Sequence, residues 1–459
     1  MKLGAMGVAA AAVLCSCSHK AVIEAQNEQQ IQAAVERSGV IVELPPGITI
    51  LHKSLRVPRG VHHLVIHGHA HGSVLRMAAE ARDKALIWVD SAADVRLRGF
   101  TLEGNRQSLT TNRYLPPSNV TFANFYDDNG ILATGVNGLI IRDVQIRHVT
   151  GFAILVSAAK NVTVSGVLVE QCGSLDQTGR NNTSGGILLE QGTARFAIVH
   201  STIRHIPGNA IWTHSNYGSP RDTDGEIASN EISDVARDAI QVGHASHVLV
   251  LRNRGRRIGY PVSQVDVAAT GIPVALDTAG NVDHCRYSDN VFEDVNGQCI
   301  DLDGFHDGEV RGNTCTNRQP SSAYPLSHFG IVFGNSNPEV NPVNVVVAKN
   351  RIQGFAYGGL FLIGSANKIL GNRFLDVNRA ACTGDMRRPL CNYAPEQPGM
   401  LRSAIYLGNG AARPAQTRDN VIQGNEVSSV NGARWCVEAA PGVRLQDNHI
   451  AQNSCKATP

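Results

Sequence analysis

Apolar residues in this chain recur in short runs at a fixed long spacing. A strand-like run preceded by a small residue appears as Ala153-Ile154-Leu155-Val156, Gly186-Ile187-Leu188-Leu189, Ala210-Ile211-Trp212-Thr213 and Ala239-Ile240-Gln241-Val242. It continues as Pro273-Val274-Ala275-Leu276, Cys299-Ile300-Asp301-Leu302, Gly330-Ile331-Val332-Phe333, Gly359-Leu360-Phe361-Leu362 and Ala404-Ile405-Tyr406-Leu407. Between these runs an asparagine returns, at Asn230, Asn253, Asn290, Asn313, Asn350, Asn372, Asn425 and Asn448. A residue that is usually apolar follows two positions later (Ile232, Phe292, Ile352, Phe374, Val427, Ile450). The recurring step is 22 or 23 residues, and the longer gaps are insertions. That step predicts an all-β solenoid, in which equivalent positions stack in register. The asparagine is predicted to be scaffold: its side chain tolerates left-handed turns and bonds the backbone of neighbouring coils.

The N-terminal part has a different pattern. Glu28 to Ser38 reads as an amphipathic helix with Ile31, Ala34 and Val35 on one face. Val40-Ile41-Val42-Glu43-Leu44 alternates as a strand, and Pro45-Pro46-Gly47 turns it. A helix here caps the open end of a solenoid, whose unpaired edge otherwise recruits other chains. Before it, residues 18–26 read as a tether. Residues 1–17 read as a lipoprotein signal: Met1-Lys2, an Ala-rich apolar run to Leu14, then Leu14-Cys15-Ser16-Cys17 with Cys17 as the lipidated residue. The apolar run is too short to span a bilayer. An ordinary cleaved signal peptide is the alternative, and both export the protein.

These readings resemble the pectin-lyase-like superfamily of right-handed parallel β-helices over residues 27–455. The segment from Ile31-Gln32-Ala33-Ala34-Val35 to Pro45-Pro46-Gly47 resembles the opening of pectate-lyase-type repeats. The resemblance implies a single β-helix domain over 27–459. It leaves the activity open among polysaccharide lyases, glycoside hydrolases, uronan epimerases, phage tailspikes and adhesive passengers.

Register supplies candidate chemistry. With Ile154, Ile187, Ile211, Ile240, Val274, Ile300 and Ile331 inward, alternate residues face out. The outward polar residues gather on five successive coils: Glu190, His214, Gln241, His244, Asp277, Asp301 and Asp303. Asp277 is expected beside Asp303 on the next coil. Asp301 and Asp303, two apart on one strand, are expected about 6.5–7 Å apart. Such like charges push one pKa up, as a general acid near neutral pH requires. Inverting hydrolysis is the first reading, with one of Asp301 and Asp303 as acid and the other, or Asp277, as base. His214, His244 and Glu190 assist. Trp212 and Tyr406 are expected to stack on sugar rings, Gln241 and His306 to bind substrate, and Arg180, Arg221 or Arg318 to reach in from loops. Ca²⁺ on the same oxygens is an alternative use of the site.

The local motifs depart from several branches of the superfamily. Polygalacturonase-like hydrolases carry Asn-Thr-Asp, Asp-Asp, Gly-His-Gly and Arg-x-Lys, and this chain does not carry the four together in that form. Lyases of the fold often use a Lys or Arg base, and no lysine falls on this face. Uronan epimerases use Tyr-Gly-x-Asp-Pro-His, where this chain has Tyr217-Gly218-Ser219-Pro220-Arg221. A lyase and a glycan-binding or adhesive surface protein are the rival readings.

Composition agrees with this picture. The chain has 459 residues, 45 glycines, 5% aromatics and a formal net charge of +2. No basic run points to nucleic acid. Arg252, Arg254, Arg256 and Arg257 form the densest basic cluster, read as a solvated turn or a contact to an acidic sugar. His67, His69 and His71 share a strand face, with His62 and His63 nearby, a spacing open to a metal or a structural role. Eight cysteines follow the signal, and export permits disulfides. Cys382 and Cys391 are expected to pair, and Cys436 with Cys455 to staple the last coil. Cys172, Cys285, Cys299 and Cys315 stay open. The insertions lie at 106–128, 173–184, 255–272, 316–328, 334–344 and 379–403. Several are placed to wall a groove over the first strand. The partner is expected to be a polysaccharide, the membrane contact only the lipid on Cys17, and the protein a monomer.

Overall fold

The computed structural model describes residues 20–109, 115–181, 183–382, 389–394, 396–397, 399–429 and 435–457. The signal read at 1–17, Cys17 included, lies outside the described residues. Three parallel sheets of 13, 17 and 14 strands run the length of the coil. Successive coils contribute strands to each sheet, some coils giving the 17-stranded sheet two short ones, and equivalent strands of neighbouring coils are hydrogen-bonded in parallel. This is the expected right-handed parallel β-helix. The nine strand copies read from the sequence belong to the 13-stranded sheet, called the front sheet below.

The interior is a set of apolar ladders. Ile154, Ile187, Ile211, Ile240, Leu276, Ile300, Ile331, Leu360 and Ile405 stand in register along the front sheet. All are essentially buried. Leu276, not Val274, is the inward partner of Ile240. The register after the 255–272 insertion is therefore two residues later than the sequence reading, which keeps the facing of every side chain.

The asparagines form a continuous ladder. The Asn253 side-chain oxygen accepts the backbone N–H of Asn230 at 3.0 Å and its side-chain N–H at 2.9 Å. The Asn253 amide in turn donates to the Ile227 carbonyl at 2.9 Å. The same three bonds recur at Asn290, Asn313, Asn350, Asn372 and Asn425. Two expectations change. The ladder ends at Asn453, which accepts both bonds from Asn425. Asn448 instead closes a second ladder with Asn367 and Asn420. The left-handed residue is also not the asparagine but the one before it: Ser229, Arg252, Asp289, Gly312, Lys349, Gly371, Gly424 and Gln452 all have positive φ. A left-handed non-glycine residue costs about 1–2 kcal/mol. Three hydrogen bonds at about 1 kcal/mol each offset it.

Asn27 accepts from the Gln30 N–H at 3.0 Å and caps the helix Glu28–Val35, which ends three residues before the sequence reading. Ile31, Ala34 and Val35 are buried over the end of the coil. Ala21–Glu24, read as tether, is a strand paired in parallel with Val40–Glu43. Cys382–Cys391 and Cys436–Cys455 pair as expected, and Cys299–Cys315 is a third disulfide. Cys172 and Cys285 are buried thiols whose pKa burial pushes up to about 12.

Asn313→Ala strips two donors of Asn290 and the Tyr287 carbonyl of their partner in a buried turn. It is expected to destabilise the protein by about 3 kcal/mol. Asn453→Ala, at the half-exposed end of the ladder, is expected to cost well under half as much. Chemical denaturation of the two variants measures the difference.

Candidate active site

Seen from outside, the front sheet carries Trp212, Gln241, Asp277, Asp301, Val332, Phe361 and Tyr406 in one register row. Two residues along lies a second row, His214, Gly243, Ala279, Asp303 and Gly334. Asp277 therefore neighbours Asp301 and not Asp303, a correction that follows from the two-residue register shift. Strand spacing puts Asp277 and Asp301 about 4.8 Å apart at the backbone, with Asp303 about 6.5–7 Å along the strand from Asp301.

A fourth carboxylate joins them. Asp238 sits just before its front-sheet strand, where it accepts the Val274 N–H at 2.9 Å, and Arg237 Nε lies 3.5 Å from its other oxygen. Behind the carboxylates Asn209 donates to Gln241 at 2.7 Å, and Gln241 donates to Asp277 Oδ2 at 2.5 Å. Both oxygens of Asp303 are held by Ser336, from its backbone N–H at 2.7 Å and from its hydroxyl. Asp301 Oδ1 is buried and has no partner.

Burial is the first cause of the perturbed acidities here. It raises Asp277 well above the ordinary carboxylate range, and the charges of Asp238 and Asp301 raise it further. Burial raises Asp301 likewise, with Asp303 and Asp238 adding. Asp238 is raised to about 6 by burial, against the pull of Arg237. The carboxylates thus crowd a desolvated patch with Arg237 as the cation set among them. His214 and His244 line a hollow beside the patch with Tyr217, Phe122, Leu115 and Pro117. Burial lowers His214 to about 4, with His244 and Arg237 adding. It lowers His244 as well, with Arg221 adding. Both rings are neutral at pH 7 and act as hydrogen-bonding groups there.

The remaining expected site residues are occupied elsewhere. Glu190 is fully buried and accepts the Phe122 and Ala123 N–H groups at 2.8 and 3.0 Å. It anchors the first turn of the short helix Phe122–Phe125 and so clamps the 106–128 insertion onto the sheet. Trp212 lies under that insertion, with Phe122 edge-on at 4.9 Å, and offers no open face to a sugar. Tyr406 is buried beneath the 379–403 insertion, donating to Gln397 Oε1 at 3.0 Å. His306 stands on the second sheet between Asp307 and Asn281. Arg180 ties its loop to the Val265 carbonyl, and Arg221 is held by Asn281 and Asp283. Arg318 is exposed in its loop. Arg254 and Arg256 lie on the third sheet, in register with Glu231 and Glu293, far from the carboxylates. His69 accepts from the His71 N–H at 3.1 Å. Among the described residues no cluster of three or more His, Cys, Asp or Glu is arranged to hold a metal ion.

Asp238, Arg237, Asn209 and Ser336 were not readable from the periodic pattern. They sit in turns and an insertion, outside the alternating rows. The faint signal for Asp238 and Asn209 was a polar residue directly before the small residue that opens a front-sheet strand.

The sequence places this chain among known proteins. Residues 83–260, 178–375 and 270–458 match the right handed beta helix region family, and the chain belongs to that family. No curated protein matches it in sequence. Similar solved structures include PfbA, a surface adhesin of Streptococcus pneumoniae, at 14% identity over 76% of this chain and 85% of that one, TM-score 0.54. Another is DFA-IIIase from Arthrobacter chlorophenolicus A6 in complex with GF2, at 13% identity over 75% and 88%, TM-score 0.50. A third is the pre-mature bacteriophage phi29 gene product 12, at 12% identity over 87% of this chain and 50% of that one, TM-score 0.56. At these identities the shared property is the fold.

A carboxyl whose pKa rises on folding contributes stability below the ordinary Asp range and loses it as pH climbs through the folded value. Asp301→Asn is expected to raise the melting temperature by about 2 °C or more at pH 8, with a smaller gain at pH 5. Melting scans at the two pH values check this. Glu190→Ala is expected to free the 106–128 insertion and speed its proteolytic nicking about tenfold or more, read by limited digestion.

Proposed function

We propose that this protein is a glycoside hydrolase acting on a polysaccharide, with Asp301 as general acid and Asp303 as general base. The observation that carries this reading is the patch itself. Three outward carboxylates and Asp238 share one desolvated stretch of the front sheet, a costly arrangement that burial alone does not reward. Burial, with the charges of Asp303 and Asp238, raises the Asp301 pKa well above the ordinary carboxylate range and so favours its protonated form, and its Oδ1 has no partner in the protein. Asp301 protonates the leaving glycosidic oxygen. Asp303, positioned by Ser336, takes the proton of a water that attacks the anomeric carbon from the opposite face. The Asp301–Asp303 spacing of about 6.5–7 Å leaves room for that water and gives inversion. Burial and the charges of Asp303 and Asp238 favour the protonated acid. Gln241 and Asn209 are positioning residues that fix Asp277.

Several observations support the glycan as partner. Tyr217 and Tyr393, 67% and 45% exposed, stand within electrostatic reach of Asp303 and Asp301, and their faces suit sugar rings. Three disulfides fit a chain that matures in an oxidising compartment. Export with a lipid on Cys17 follows from the N-terminal pattern. The fold alone also accommodates an adhesive role.

Asp303→Ala is expected to lower turnover about 10³-fold or more on the polysaccharide that the parent protein cleaves, with the melting transition retained. A polysaccharide panel read for new reducing ends and ultraviolet absorbance together is the assay. Unsaturated products in place of saturated ones contradict hydrolysis and assign β-elimination. Glycan binding by the parent without any product contradicts an enzyme.

A further inference from the structure

One strand beyond Asp301 lies a hollow of about 230 Å³. Val332, the register partner of Asp301, forms part of its floor, with Phe329, Phe361 and Tyr393 as aromatic walls. Two buried polar side chains border it. His328 is 6% exposed and Gln298 is 7% exposed, and His328 Nε2 and Gln298 Oε1 have no partner. Neither residue belongs to the hydrolytic carboxylates.

The two side chains bond each other: Gln298 Nε2 donates to His328 Nδ1 at 3.4 Å. Nδ1 as acceptor leaves the proton on Nε2. The pair therefore presents one N–H donor, His328 Nε2, and one acceptor, Gln298 Oε1. Turning the amide over exchanges the two roles and keeps one donor and one acceptor. Burial holds the His328 pKa down at about 3, so the ring is neutral across the physiological range. It is wedged edge-on between Tyr357 at 4.9 Å and Tyr393 at 4.7 Å, which fixes its direction.

A fixed donor and acceptor side by side match a hydroxyl group, which accepts and donates at once. Aromatic walls match the apolar face of a sugar ring. Among the described lining residues Glu396 is the one carboxylate, and no Lys or Arg stands there to pair with an anion. An anionic sugar meets repulsion and no partner. We infer that the hollow at His328, Gln298 and Tyr393 is a subsite for one uncharged, hydroxyl-bearing sugar ring adjoining Asp301. The inference rests on the glycan reading of the groove but not on hydrolysis. Leaving a buried donor and acceptor unpaired is costly. A sugar ring lacking the matching hydroxyl is accordingly rejected.

The test is binding to the full chain carrying Asp301→Asn, which cannot turn substrate over. Malto-, cello-, xylo- and fructo-oligosaccharides are titrated calorimetrically, with oligogalacturonate as the charged comparison. A neutral oligosaccharide is expected to bind, and His328→Phe and Gln298→Met are expected to weaken it about tenfold or more. Tyr393→Ala removes an exposed ring and leaves the core intact, and is expected to weaken binding about fivefold or more. In the active protein, the same three changes raise KM and leave the pH dependence of kcat unmoved. Binding that prefers oligogalacturonate, no binding to any neutral oligosaccharide, or binding unaffected by Tyr393→Ala overturns the subsite. Binding sensitive to His328 in a parent that forms no product keeps the subsite and removes the hydrolase.

Discussion

The asparagine ladder is the constraint on which the rest of this protein depends. Each coil must turn sharply between the second and third sheets, and the turn places a residue in the left-handed region. A buried turn also strands backbone groups that strands on either side do not reach. Asn253, Asn290 and their equivalents resolve both problems with one side chain. Its oxygen takes two donors from the preceding coil, and its nitrogen serves a carbonyl of that coil. The bonds run along the solenoid axis, so they also lock the pitch. The coil before Asn230 has Ser201 at the same position, whose hydroxyl accepts the Val167 N–H, and the coils before that have Phe100, Val144 and Val167, whose side chains pack without hydrogen bonding.

A locked pitch is what permits the site. Asp277 and Asp301 come from different coils, Asp303 from the same strand as Asp301, and Asp238 from a turn two strands away. Their separation is set by strand spacing and pleat and not by local flexibility. Holding them together costs stability, because Asp238, Asp277 and Asp301 are desolvated and neighbouring carboxylates raise Asp277 and Asp301 further. The interior of aliphatic ladders, three disulfides and the asparagines supply the stability that the patch spends. The same stiffness holds His328 and Gln298 with unpaired polar atoms toward a hollow.

The sequence was informative where the fold is periodic and silent where it is not. Alternation along the front sheet put Gln241, Asp277, Asp301 and Asp303 on the outer face. The 255–272 insertion hid where its strand begins, so Asp277 was read two places out of step. Parity survived that error because two residues is one full pleat. Glu190, Trp212 and Tyr406 were also read outward, correctly, but insertions fold back over them. An insertion has no period from which its landing place can be read. Asp238, Arg237 and His328 lie outside the alternation for the same reason, since they belong to turns and loops. Asn448 was drawn into the wrong ladder because two ladders run side by side with the same residue type.

The central claim is that the coil holds a protonated carboxyl at Asp301 beside Asp303 at neutral pH. Infrared spectra of the parent protein and of Asp301→Asn, recorded at pH 7 and differenced, test it directly. The account predicts a protonated-carboxyl C=O band in the parent that is missing from the variant and fades as pH is raised. A difference spectrum showing only an ionised carboxylate at that position would contradict it.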